Sequence, residues 1–370
     1  MIRMRALAAA ALLAGGAALS ACGTQPSPSP AAGHPHDAQR EWRVAGDKEA
    51  TADQIIDAGR PGSVATSGDR TLTTWQVQPE DDEGPSQAAW RLYDLEGARI
   101  ADGKLGIVFE QGATTEVVPA PDGFVIDNYS KTPLIHVAPT GALTTIPLHA
   151  ERRATRAGDV LVRAWTGDRS FYRPADHAAY RLPRTPANPQ AVQLDETGRV
   201  WVMRLWSRDG DARIASAQGG VAPWTTETVD LPAGSSPTVD MAYAGGRLMF
   251  PQRSSTVAEY DEFQAIWSRS TQPGAVDHAW RSTPIARDQL THTVTVGLDR
   301  TSTGRLLVSG ESTPTLLEQA DGSLRPLEVP GTTEPAPVQS VADRLYATSW
   351  SQAELYVSDD LGKSWTRVQR

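Results

Sequence analysis

Ala191-Val-Gln-Leu194, Asp195-Glu-Thr-Gly198, Arg199-Val-Trp-Val-Met203 reads as two short apolar arms around a tight turn holding Asp and Gly, the pattern of a β-hairpin. The same unit recurs along the chain. Residues 293–298 and 305–308 flank the turn 299–304, and residues 241–243 and 247–250 flank Ala244-Gly-Gly246. Val117-Val118 and Val125-Ile126 face across Asp122-Gly123, and Val338 and Tyr346 across Ala342-Asp343. Weaker copies run from Val64 to Leu72 across Gly68-Asp69 and from Ala154 to Val162 across Gly158-Asp159. The seven second arms centre near residues 72, 125, 161, 200, 248, 306 and 345.

Those centres are spaced by roughly 40–50 residues, and each hairpin is followed by a second pair of short strands, as in residues 134–137 and 143–146 across Pro139-Thr-Gly141. Four strands per such period is the size of a β-propeller blade. A lone four-stranded sheet leaves a face uncovered, so the units must stack around an axis. The expectation is an all-β chain, a propeller of seven four-stranded blades. A pair of β-sandwiches is the competing arrangement, and the regular period disfavours it. Helical periodicity is confined to residues 50–59, which suit a short helix or turn.

Ser358-Asp-Asp-Leu-Gly-Lys-Ser-Trp365 carries the sharpest motif, with Ser358, Asp360, Gly362, Ser364 and Trp365 at fixed spacing. It resembles the Asp-box of BNR-repeat proteins. In such a turn the Asp accepts from neighbouring backbone N–H groups, the Gly supplies positive φ and the Trp buries a large face between sheets. The resemblance implies a hairpin between the third and fourth strands of a propeller blade and a structural role for these five residues. Other blades keep only remnants, at Asp94-Leu-Glu-Gly97 and Asp321-Gly322.

The N-terminus concerns location. Arg3 and Arg5 precede the apolar run 6–18, which is too short to span a bilayer and has the form of an export signal. Leu19-Ser-Ala-Cys22 resembles the lipobox of bacterial lipoproteins, and Cys22 is the only cysteine in the chain. By that resemblance, residues 1–21 are a signal peptide, and Cys22 carries a lipid that holds the protein to the cell membrane, facing outside the cytoplasm. Residues 22–40 hold Pro26, Pro28, Pro30 and Pro35 among small polar residues and serve as a disordered spacer, with His34 and His36 solvated. Residues 41–370 form the propeller domain.

The formal net charge is −9, which argues against nucleic acid as a partner. With Cys22 lipidated no disulfide can form, so packing alone must hold the fold. No cofactor and no metal site are expected. His136, His149, His177, His278 and His292 are dispersed in sequence, and no Gly-x-Ser-x-Gly elbow or phosphate loop occurs. The acidic run Asp81-Asp-Glu83 is read as a solvated loop.

The loops between second and third strands and between blades are the longer, more polar ones, and function tends to sit on such loops. Near their bases stand Arg163, Arg204 and Arg253, with Trp75, Trp165, Trp206 and Trp350. Guanidinium forks grip carboxylates and indoles suit sugar faces or peptide, so the candidate ligand-binding residues are Arg163, Arg204, Arg253, Trp165, Trp206 and Trp350. Blade packing and ion pairing explain the same residues without a ligand. The expected partner is a protein, peptide or glycan outside the cytoplasm, bound without catalysis. The alternative is a sialidase-like glycoside hydrolase. Tyr180-Arg-Leu-Pro183 resembles the Phe/Tyr-Arg-Ile-Pro motif of sialidases but stands in the third blade, not ahead of the first.

Overall fold

In the computed structural model, the described residues form twenty-nine strands in seven antiparallel-based sheets. The structure describes residues 50–77, 86–109, 115–127, 133–162, 169–205, 211–238, 240–254, 263–272, 275, 278–286, 289–290, 296–310, 313–330, 338–341, 343–349 and 354–368. The signal, Cys22 and the spacer lie outside them. No helix among the described residues is long and apolar enough to cross a membrane.

Each sheet is a blade. Blade one is Arg60–Ser67, Arg70–Val77, Ser86–Tyr93 and Arg99–Phe109, in that order from one edge to the other. Blade two is Glu116–Ala120, Gly123–Asp127, Ile135–Val137 and Leu143–Thr145. Blade four (Ala191–Leu194 to Thr225–Val229), blade six (Val296–Arg300 to Leu324–Pro326) and blade seven (Val338–Val341 to Thr366–Arg367) repeat the order. Blade five does too, with two short strands, Ser235–Pro237 and Ala242–Ala244, sharing the partner Arg247–Ser254. The first-edge strands of successive blades touch, and that of blade seven touches that of blade one. The chain is therefore a seven-bladed β-propeller.

The hairpin at 191–203 forms in register, Ala191 opposite Met203 and Leu194 opposite Val200. Asp195 organises its turn. Its Oδ1 accepts from the N–H groups of Thr197 and Arg199 at 2.9 and 3.0 Å, and its Oδ2 accepts from Trp201 Nε1 at 2.9 Å. Gly198 closes the turn at φ 81°, and a Cβ there would stand 2.3 Å from the Arg156 backbone. Glycine thus serves both the left-handed conformation and the close approach of blade three's connection. The stretch 358–365 forms an equally local turn between Glu354–Ser358 and Thr366–Arg367. Gly362 N donates to Ser358 Oγ at 2.8 Å, and Ser364 donates to Asp360 through both its N–H and its hydroxyl. Hydrogen bonds from Ser364 hold the Asp360 carboxyl down at about 2. Trp365 packs onto the cluster of Leu307, Leu317, Val338 and Leu345 between blades six and seven.

Blade three corrects the expected repeat. The hairpin across Gly158-Asp159 does not form, and residues 153–159 hold no strand. The sheet runs Val160–Val162, Ser170–Arg173, Ala178–Arg181 and then Leu148–Arg152, which precedes the others in sequence and pairs in parallel. The reason lies in where the backbone donors go. Thr155 N and Oγ1 donate to the carbonyls of Gly219 and Gly198 in blade four, at 3.0 and 2.6 Å. Asp159 is claimed by Arg173 in a bidentate pair at 2.9 and 2.6 Å.

Among the described residues the ring closes without a shared strand, since blade one uses residues 60–109 and blade seven residues 338–367. Closure is apolar instead. A short helix, Ala52–Ala58, is set by a capping box between Thr51 and Gln54 and buries Ile55 and Ile56. These pack with Val64, Trp75 and Val77 of blade one and Val341, Tyr346 and Leu355 of blade seven.

Blades six and seven meet through Asp299, whose carboxylate accepts from Arg300 N at 2.7 Å and from Ser340 N at 3.1 Å. Burial pushes this carboxyl up to about 6, against the pull of the two N–H donors. The folded state therefore holds the proton to higher pH than the unfolded chain does. The group's contribution to stability is full below about pH 4 and is lost as pH rises through about 6. The expected loss is at most about 3 kcal/mol. Urea midpoints should fall between pH 4 and pH 7, and Asp299→Asn should flatten that slope.

Candidate functional site

Arg204 and Arg253 hold the same place in neighbouring blades. Each is the next-to-last residue of its blade's long second strand, Arg199–Leu205 and Arg247–Ser254, and each is half-buried. Arg204 lies opposite Arg213, and Arg253 opposite Phe263 and Ser236. The equivalent residues elsewhere are Gln76, Ile126, Ser309 and Thr348, so among the described residues the arginine position belongs to blades four and five. Arg163, Trp165, Trp206 and Trp350 lie outside the described residues, as do most of the loops they flank. Trp75 is not on a rim. It is 1% exposed and sits in the ring-closing core, because its place in the strand turns it toward the helix.

A second group of arginines gathers in blade three. Arg153 and Arg156 approach Asp176 at 3.2 and 3.5 Å, and Arg173 at 4.0 Å. Tyr180 donates to the same carboxylate at 3.1 Å, with the Arg153 guanidinium 4.1 Å above its ring. Each cation meets a protein carboxylate, Arg153 also Glu151 and Arg173 also Asp159. Tyr180 thus serves an ion-pair network within the protein.

The histidines are less dispersed than the sequence implied. Asp122, in the first turn of blade two, meets His136 of the strand Ile135–Val137 and His177 of blade three, with one ligand atom of each within 4.8 Å of the others. His136 Nε2 stands 3.4 Å from Asp122 Oδ1, and both atoms are buried without a hydrogen bond. Asp122 Oδ2 accepts from Tyr172 OH at 2.7 Å. His177 follows the 3₁₀ turn Pro174–Asp176 in a left-handed conformation, φ 49°. Its Nδ1 lies 2.9 Å from Tyr172 OH and its Nε2 2.8 Å from Thr144 Oγ1. Burial lowers the His136 pKa below its ordinary value, opposed by the Asp122 charge. Burial also raises that of Tyr172 far above the usual tyrosine range. Gly123, at φ 140°, lets the turn sit close over this ring; a Cβ there would stand 3.2 Å from His136 Nε2. Sequence reasoning missed this group because its members come from two blades. Only the Asp-Gly turn was a local signal.

The sequence matches no protein-family model and no curated protein. Among solved structures it is similar to the β-propeller domain of the trilobed protease from Pyrococcus furiosus, described as having an open velcro topology. Identity is 9%, over 84% of this chain and 96% of that one, with a TM-score of 0.49. It is similar to a puromycin-hydrolyzing peptidase of Mycobacterium tuberculosis at 13% identity, over 87% of this chain and 54% of that one, TM-score 0.49. It is also similar to YCF48 bound to D1 peptide, at 11% identity over 84% and 81%, TM-score 0.34. The likeness is one of fold.

Proposed function

We propose that this protein is a lipid-anchored, extracytoplasmic β-propeller that binds a protein, peptide or glycan on the face of its second-to-third-strand loops, without catalysis. The observation that carries the reading is the matched placement of Arg204 and Arg253 at the ends of adjacent second strands, where their loops begin. Guanidinium forks at matched heights suit a ligand with carboxylates or a polar edge. Cys22, alone in the chain, supplies the anchor, and the turn at 358–365 is taken as an Asp-box of BNR type, structural in role. The ligand-binding set is completed by Arg163, Trp165, Trp206 and Trp350.

The test is binding of the full chain to glycan and peptide arrays, alongside a variant with Arg163, Arg204 and Arg253 all changed to alanine. Loss of the wild-type hits with an unchanged circular dichroism spectrum is the expected result; unaltered hits remove this face. A sialidase-like hydrolase is the second reading, favoured by the gathering of Arg153, Arg156 and Arg173 at the Asp176–Tyr180 pair. There the Asp176 carboxylate already takes the place a substrate carboxylate would need. Turnover of a fluorogenic sialoside that disappears on Arg153→Ala would establish the second reading over the first.

A further inference from the structure

We propose that Asp122, His136 and His177 bind one divalent transition-metal ion of the Zn²⁺ class, bridging blades two and three at the end of the strand Gly123–Asp127 opposite the ligand-binding loops. Zn–N and Zn–O bonds near 2.0–2.1 Å at tetrahedral angles set neighbouring ligand atoms about 3.3 Å apart. Asp122 Oδ1 and His136 Nε2 stand 3.4 Å apart, and both are buried without a hydrogen-bond partner. Leaving two such buried atoms unpaired costs stability, and an ion between them removes the cost.

The surroundings already orient the other donors. Tyr172 OH holds Asp122 Oδ2 at 2.7 Å, which leaves Oδ1 for the ion. Thr144 Oγ1 lies 2.8 Å from His177 Nε2 and can accept its proton, so that Nδ1 carries the lone pair and exchanges its present 2.9 Å contact with Tyr172 OH for the ion. This is the outer-shell arrangement that fixes the tautomer of metal-bound histidine. The three ligand atoms lie within 4.8 Å of one another, so the turn bearing His177 must move inward for its imidazole to reach a shared ion. That side chain is 42% exposed, which leaves room for the movement and a solvent-facing fourth position. Two imidazoles and one carboxylate suit Zn²⁺ and its neighbours and do not suit Ca²⁺ or Mg²⁺, which take oxygen ligands.

The test is calorimetric titration of the full chain with Zn²⁺ alone, in a His34→Ala, His36→Ala background that removes the spacer histidines. Co²⁺ absorption reports the ligand geometry. The expected result is one Zn²⁺ per chain, with no competition from Mg²⁺ or Ca²⁺. Thr144→Val should weaken binding about 10–100-fold and Thr144→Ser restore it. Where His136 variants fail to fold, His177→Gly keeps the proposal testable. Glycine suits the left-handed backbone there, and this variant should retain the native circular dichroism and lose uptake. No uptake at submillimolar Zn²⁺ in this background, or uptake unchanged by His177→Gly, would overturn the site.

Discussion

Arg173→Ala should destabilise the propeller by about 3–5 kcal/mol, the usual cost of orphaning one member of a buried ion pair. The pair is well enclosed, Arg173 and Asp159 side chains being 7% and 1% exposed. The guanidinium fork also donates to the Ala154 carbonyl at 2.7 Å, which pins the strandless connection 153–159 to the sheet. Its removal leaves a buried carboxylate and a loosened connection at once. The loss should show as a lower urea midpoint and as fast hydrogen exchange at residues 154–159. Arg173→Met with Asp159→Leu should recover most of the stability, because replacing both charges by apolar groups leaves neither unpaired. A double variant no better than Arg173→Ala would mean that the Ala154 contact carries the effect.

Trp75→Ala should cost a similar amount, about 3–5 kcal/mol, for a different reason. The indole stands at the seam where blade seven meets blade one, among Ile55, Ile56, Tyr346 and Leu355. Among the described residues no strand crosses that seam. Polar links across it include Val64 N to Gln339 Oε1 at 2.9 Å and Arg344 to the Leu95 carbonyl at 2.9 Å. A cavity here therefore weakens the apolar contact that closes the ring, and thermal melting should become broader as well as lower. Trp75→Phe should be mild, since the ring volume is largely kept and the buried Nε1, which makes no hydrogen bond, is removed. If the alanine variant melts like wild type, the seam does not limit stability.

Six of the seven expected hairpins occur at the stated turns, because each is built from contacts within a few residues. Asp195 bonds its own turn at 197 and 199, and Ser358 and Asp360 bond theirs at 362 and 364. The remnants at Asp94 and Asp321 likewise cap turns in blades one and six, to Ala98 N and Ser323 N. The seventh hairpin was misread because its turn does form, Asp159 N donating to the Arg156 carbonyl at 3.1 Å, while Thr155 ahead of it bonds blade four instead of a partner strand. Trp75 was read as a rim residue because a strand's alternation does not say which neighbour it meets.

The sequence by itself determined the strand period, the number of blades, the short N-terminal helix and the tight turns. All of these rest on backbone preferences and hydrogen bonds between near neighbours. The tertiary structure alone decided how the ring closes, why blade three departs from the repeat and that Asp122, Tyr172 and His177 share one cluster with His136. Those contacts join blades across tens of residues, and they depend on how the sheets stack around the axis, which no local pattern encodes.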